Sequence, residues 1–177
     1  EITNQYADKL GEGTFATVYR GTMYRREVAV KVDKDGTYTP QQRKIFKQQF
    51  LDEVHTLYNY QHDNSCMLFA HSIDGPNRCL VYELCHHGSI WDRLRTAPVL
   101  TWPQRLTLAV GSARGLAYLH TRKPPAIHRD IKSLNILVSA DFQARISDFG
   151  TIRTGGPRRA WRADKCEGHM QKRRWNN

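Results

Sequence analysis

The chain reads as an α+β protein: a β-rich N-terminal part carrying one long helix precedes a helical part. Three observations predict this. Residues 6–32 hold three β-forming stretches separated by turns. A helix with a well-marked start follows Thr39, and a second long helical pattern begins near Pro103.

The first region reads as strand, Gly-rich turn, strand, turn, strand. The second strand begins at Val18 and Tyr19, and residues 27–32 alternate and are rich in β-formers. Thr39-Pro40-Gln41-Gln42 combines an N-cap Thr, Pro at the first helical position and a Gln that closes a capping box. Phe46, Phe50, Val54 and Leu57 then recur at helical spacing. Strands are expected near 67–71 and 79–83, joined by the turn Asp74-Gly75-Pro76-Asn77. Gly88-Ser89 precedes a short helix over 90–95. On the long helix, Leu106, Ala109, Val110, Ala113, Leu116, Ala117 and His120 occupy one face, and Pro124-Pro125 ends it. Two short strands, 136–138 and 144–147, complete the pattern.

With 177 residues, one domain is expected. An apolar share of 40% and a charged share of 25% indicate a soluble globular chain rather than a disordered one. No apolar run approaches the roughly 20 residues of a membrane-spanning helix, and no signal peptide opens the chain. The first residue is not Met, so upstream sequence is expected. Cys66, Cys79, Cys85 and Cys166 have neither paired nor metal-ligand spacing, which points to reduced, partly buried thiols and a cytosolic setting. A reactive thiol at Cys85 is the minor alternative. Of the net charge of +10, residues 151–177 supply +6, from eight basic against two acidic residues. A solvated, disordered tail is the expectation there. Nucleic-acid binding through it is the disfavoured alternative, since the tail carries no nucleic-acid motif.

His128-Arg129-Asp130-Ile131-Lys132-Ser133-Leu134-Asn135, followed by Asp148-Phe149-Gly150, carries the chemistry. Phosphoryl transfer needs a carboxylate to orient a hydroxyl, oxygen ligands for magnesium, and positive charge on the phosphates. These segments resemble the catalytic loop and magnesium loop of eukaryotic protein kinases. Gly11-Glu12-Gly13-Thr14-Phe15-Ala16-Thr17-Val18 is similar to the family's nucleotide-covering loop, with Ala16 where a third glycine often stands. No helix follows it directly, which argues against a dinucleotide-binding site. Val28-Ala29-Val30-Lys31 adds a strand lysine for the α- and β-phosphates, with Glu53 as its expected carboxylate partner. Asp52, about 100° around the helix, is the alternative.

The resemblance implies a protein-kinase-like fold: an N-lobe over about 5–83, a hinge over 84–88, and a partial C-lobe over 89–153. It implies ATP and Mg²⁺ as cofactors. Asp130 would orient the substrate hydroxyl and accept its proton. Lys132, in the serine/threonine-kinase form of the loop, would neutralise charge on the γ-phosphate, and Asn135 and Asp148 would hold magnesium. Tyr82 would be the gatekeeper, with backbone groups of Glu83 and Cys85 on the adenine edge. Leu10, Val18, Ala29 and Leu137 would sandwich the ring. His128 would support the loop and stack with Leu57, Leu68 and Phe149.

Leu80-Val81-Tyr82-Glu83, Leu100-Thr101-Trp102-Pro103-Gln104-Arg105-Leu106, Ala113-Arg114-Gly115-Leu116-Ala117-Tyr118-Leu119-His120 and Ile146-Ser147-Asp148-Phe149-Gly150 resemble the Pelle, interleukin-1-receptor-associated and plant receptor-like kinases of the tyrosine-kinase-like branch. That group implies a protein substrate bearing a Ser or Thr hydroxyl and an upstream receptor or adaptor. The setting would be the cytoplasm, or the cytoplasmic side of a membrane if an upstream span exists. Ser65-Cys66 departs from an apolar pair common in the family. No activation segment is recognisable after Thr151-Ile152-Arg153, so Arg129 lacks its usual phosphorylated partner. The kinase resemblance is expected to stop near 153, with 154–177 an unrelated tail and the long helix exposing apolar surface. The alternative function is an inactive, truncated fragment that binds nucleotide or acts as a decoy.

Overall fold

The computed structural model describes residues 2–3, 5–14, 16–34, 38–73 and 77–155. These divide into two compact units. The first holds the described residues up to 34 together with Leu68–Leu84; the second holds Tyr38–Met67 and Cys85–Gly155.

The first unit is one antiparallel sheet. Strands β1 (Lys9–Glu12), β2 (Ala16–Met23), β3 (Arg26–Asp33), β4 (Leu68–Ser72) and β5 (Cys79–Glu83) lie in the order β1-β2-β3-β5-β4. Strand β2 starts two residues before the expected position. The alternation read over 27–32 has its cause in the pleat, which sends successive side chains to opposite faces. Val28, Val30, Val32 and Val81 make a buried cluster on one face, with Ile2, Met23 and Phe69 packed against it. The N-terminal segment crosses this face so closely that a Cβ on Gly21 would lie 2.6 Å from the Ile2 carbonyl oxygen. That oxygen accepts from the Thr22 N–H at 2.7 Å, so only glycine fits at position 21. The 74–76 part of the expected turn lies outside the described residues.

The second unit contains α1 (Pro40–Asn59), α2 (Ile90–Arg93) and α3 (Trp102–Thr121), and two short antiparallel pairs. Strand β6 (Ala126–Ile127) pairs with β9 (Arg153–Thr154), and β7 (Ile136–Val138) pairs with β8 (Ala144–Ile146). Helix α1 starts as the sequence predicts: Thr39 and Gln42 form a reciprocal capping box with Pro40 inside it. Thr101 and Gln104 cap α3 in the same way. Helix α1 groups with this second unit rather than with the sheet. Leu100, Leu108, Ile136, Val138 and Ala144 form the core cluster, with Ile90 and Phe142 against it.

The apolar face read on α3 is largely exposed, as expected for this helix: Leu106 is 64% and Val110 39% accessible. The packed face is Leu108, Gly111, Gly115 and Leu119. Its two glycines let the helix come close to residue 64 and β8. A Cβ would lie 2.8 Å from Asn64 Nδ2 at position 111 and 2.8 Å from Ile146 Cδ1 at position 115. Hydrophobic periodicity misses a face built from absent side chains. The break expected at Thr154 falls inside structure, since Thr154 belongs to β9 and the Gly155 N–H donates to the Pro125 carbonyl at 2.7 Å. The remainder of the basic tail, with Cys166, lies outside the described residues. Cys66, Cys79 and Cys85 are not in disulfides; two are buried and one is half-buried.

Candidate active site

In the second unit the candidate catalytic residues sit on the segment between β6 and β7, and its ends are tied down. Thr151 Oγ1 donates to the His128 carbonyl at 2.8 Å, and Arg129 Nε donates to the Thr151 carbonyl at 2.6 Å. His128 is fully buried, edge-on to the buried Phe149 ring at 5.2 Å. Its Nε2 lies 3.0 Å from the Ser147 carbonyl, and its Nδ1 accepts from the Asp130 N–H at 3.4 Å. One donor and one acceptor suit a neutral imidazole. Burial lowers its pKa below 6.5, which favours the same form. His128 is thus a structural brace that carries loop geometry from Ser147 to Asp130.

Asp130 stays partly open to solvent. Lys132 Nζ is 2.7 Å from its Oδ2, and Asn135 Nδ2 donates to the same oxygen and to the Asp130 carbonyl, both at 2.9 Å. The Lys132 bond first, then its charge and the Asn135 bond, lower the Asp130 pKa below 3.8. The same pairing raises the Lys132 pKa. The arrangement therefore holds an ionised carboxylate that is partly open to solvent, the form needed to take a hydrogen bond from a hydroxyl.

Asn135 also connects this loop to the next. Its carbonyl accepts from both the N–H (2.9 Å) and the hydroxyl (3.0 Å) of Ser147. Asp148 follows with φ 62° and ψ 67°, a left-handed conformation uncommon outside glycine. It stands at the N-terminal end of the 3₁₀ turn Phe149–Thr151, without a side-chain capping bond. A Cβ on Gly150 would meet Glu53 Oε2 at 3.4 Å and Asp148 Oδ1 at 3.7 Å, so both carboxylates lie close beside this glycine. Glu53 is buried on α1, whereas Asp52 is exposed and bonded to Gln48 at 2.8 Å. Of the two acids weighed from sequence, Glu53 is the one turned into this unit.

Hard oxygen donors suit magnesium, which keeps several waters and is completed by substrate phosphates. Asn135 commits its amide N–H to Asp130, leaving Oδ1 as the atom open to a cation. Asp148, on the adjoining loop, carries carboxylate oxygens of the same kind. Among the described residues there is no cluster of three or more His, Cys, Asp or Glu that would favour a fully protein-ligated metal.

In the first unit, register places the nucleotide candidates. Val18 pairs with Lys31, Lys31 with Leu80, and Ala29 with Tyr82. Cross-strand partners share a face, so Val18, Ala29, Lys31 and Tyr82 lie together, opposite the valine cluster. Glu83 pairs with Val28 and belongs to the valine side, which leaves only its backbone for the expected adenine contact. The turn from β1 to β2 is closed by Gly13 N–H to the Ala16 carbonyl at 2.8 Å. A Cβ at Gly11 would meet nothing within 4 Å. Glu12 is held by Lys34 and Lys9, which together lower its pKa to about 2. Leu10 and Thr14 are exposed, while Ala16 and Thr17 are buried. Phe15 lies outside the described residues. In the second unit, Leu137 on β7 bridges Ser89, and the Cys85 carbonyl accepts from the Gly88 N–H at 3.1 Å.

Sequence reasoning missed Ser147 and Thr151 as supports. Both act through hydrogen bonds to backbone carbonyls, which leave no signature in residue spacing.

A model of the protein tyrosine and serine/threonine kinase family matches residues 4–175. The chain belongs to this kinase family. It is 41% identical to the serine/threonine-protein kinase pelle of Drosophila melanogaster over 155 residues, 84% of this chain and 31% of that protein. It is 39% identical to the Pelle-like serine/threonine-protein kinase pik-1 of Caenorhabditis elegans, over 88% of this chain and 34% of that protein. It is 43% identical to the receptor-like serine/threonine-protein kinase ALE2 of Arabidopsis thaliana, over 86% of this chain and 20% of that protein. The chain thus spans about a third or less of these curated relatives. The kinase match also takes in part of the basic segment beyond β9. No helix among the described residues is long and apolar enough to cross a membrane.

Proposed function

We propose that this chain is the catalytic region of a serine/threonine protein kinase, which transfers the γ-phosphoryl group of ATP to a protein hydroxyl in receptor-proximal signalling. The observation that carries the reading is the ionised, partly exposed Asp130 held by Lys132 and Asn135. Asp130 orients the incoming hydroxyl and receives its proton as the new O–P bond forms and the bond to the leaving diphosphate breaks. Lys132 keeps N–H donors beyond the one given to Asp130 and meets negative charge on the transferring group. Lys31 serves the α- and β-phosphates and Glu53 takes the carboxylate role. Asn135 and Asp148 would hold magnesium, which neutralises phosphate charge when bound. The Gly11–Gly13 backbone approaches phosphate, Tyr82 is the gatekeeper, and Leu10, Val18, Ala29 and Leu137 contact the base.

The test is phosphate incorporation from labelled ATP into a generic protein substrate, with magnesium, by the 177-residue chain and by a longer version carrying downstream sequence. Incorporation that disappears in Asp130→Ala and in Asp148→Asn supports the assignment. Unchanged turnover in either variant removes it. Nucleotide binding without transfer by both proteins supports the inert, decoy reading instead.

A further inference from the structure

The junction of α2 and α3 carries a feature that the proposed catalysis does not use. Ile90 on α2 packs against the cluster that holds Leu100 and Leu108, which brings both helices onto one core. Arg93 bridges the connection, donating to Thr96 Oγ1 at 3.3 Å and to the Pro98 carbonyl at 3.1 Å. Around this junction Trp91, Leu94, Val99 and Trp102 are exposed, Val99 by 74% and Trp102 by 83%. Grouped apolar side chains of this size mark interaction sites on soluble proteins.

Two arginines are laid over the indoles. The Arg95 guanidinium lies 3.1 Å from the Trp91 ring centroid, and that of Arg105 lies 6.0 Å from Trp102. Each is also pinned at one edge: Arg95 donates to the Trp91 carbonyl at 3.2 Å, and Arg105 Nε to the Leu100 carbonyl at 3.0 Å. Stacking and pinning pre-organise the remaining N–H donors for a planar acceptor such as a carboxylate. Arg93, Arg95 and Arg105 have no carboxylate partner among the described residues. The neighbouring acid, Asp92, is committed to Ser89, accepting from its N–H at 3.0 Å and its hydroxyl at 2.6 Å. Uncompensated positive charge therefore surrounds exposed apolar surface.

We propose that the α2–α3 junction docks an acidic peptide segment of a partner protein that also carries an apolar anchor side chain. Tryptophan and arginine are the residue types that concentrate binding energy in protein interfaces. Single-stranded nucleic acid, the other anionic ligand that uses aromatics, needs open ring faces for base stacking. Arg95 already covers Trp91, and Leu94 and Val99 offer no π-surface. The proposal does not rest on the catalytic reading.

The test titrates the 177-residue chain into labelled peptides and follows fluorescence anisotropy. The probes are a Glu/Leu peptide, a Glu/Ser peptide, a Lys/Leu peptide and a single-stranded oligonucleotide. The Glu/Leu peptide is expected to bind, more weakly as salt rises, and the Glu/Ser peptide to bind less. Trp102→Ser, at a surface position, weakens binding about ten-fold or more. The double variant Arg95→Glu/Arg105→Glu loses the Glu/Leu peptide and gains the Lys/Leu peptide, a transfer that a misfolded chain does not produce. Absence of Glu/Leu binding, binding untouched by the charge reversal, or tighter binding of the oligonucleotide overturns the proposal.

Discussion

Strand β3 and the 128–135 loop both present charged groups, but by opposite means. On β3, Val30 and Lys31 are neighbours that the pleat sends to opposite faces, so packing on one side positions chemistry on the other. In the loop the only regular piece is one 3₁₀ turn, Ser133–Asn135. Asp130 is positioned by polar contacts with His128, Lys132 and Asn135, and Asn135 is tied to Ser147. The lesson is that β3 separates stability from function residue by residue, whereas the loop uses the same atoms for both.

Variants can break that contrast. The largest effect is expected for Asp130→Ala, with phosphate incorporation lower by roughly 10²–10⁴-fold. His128→Ala, though remote from the reacting hydroxyl, removes a buried ring and the partner of the Ser147 carbonyl. It should cost about 3 kcal/mol in urea unfolding and lower activity with it, because loop residues couple the two properties. On β3 the effects should separate. Val30→Ala costs about 2 kcal/mol with nucleotide affinity little changed in the surviving folded fraction. Lys31→Met removes turnover by far more than its loss of stability accounts for. If the two β3 variants change stability and turnover in parallel, the contrast is wrong.

Smaller effects concern pH. His128 has a folded pKa below its ordinary 6.5, so below that value the unfolded chain binds the extra proton. Stability is then fully present above pH 6.5 and falls as pH drops toward the lowered folded value. Urea midpoints at neutral and mildly acid pH should show this slope, reduced in His128→Gln. Asp130, with a pKa below 3.8 because Lys132 bonds it, keeps its carboxylate form at mildly acid pH. Lys132→Met should move the acid limb of the pH–rate profile upward.

The legible parts of the molecule were those whose cause is local. The Thr39 capping box, the β3 alternation and the ordered loop motifs each depend on neighbours in sequence. The face of α3 was not legible, because Gly111 and Gly115 make contact through what they lack. The β6–β9 pair was missed too: two residues per strand give no periodicity, and the Thr151 and Arg129 bonds that adjoin the pair join residues far apart in sequence. Within the candidate site, Asp130, Lys132 and Asn135 come together as their spacing implies, and Glu53 is buried on α1 while Asp52 is exposed, as the helical stripe implies.

The double grip on the Asn135 carbonyl has a practical consequence for anyone altering this region. Lengthening the bend at residues 140–142 would disturb Phe142, which packs on the core cluster, yet leave the pairing of the β7–β8 ladder itself in place. Sliding one strand of that ladder against the other would shift Ser147 relative to Asn135 and so reset the spacing between the Asp130 and Asp148 loops. The separation of the two acids is therefore governed by main-chain registration, and redesign of side chains alone will not retune it.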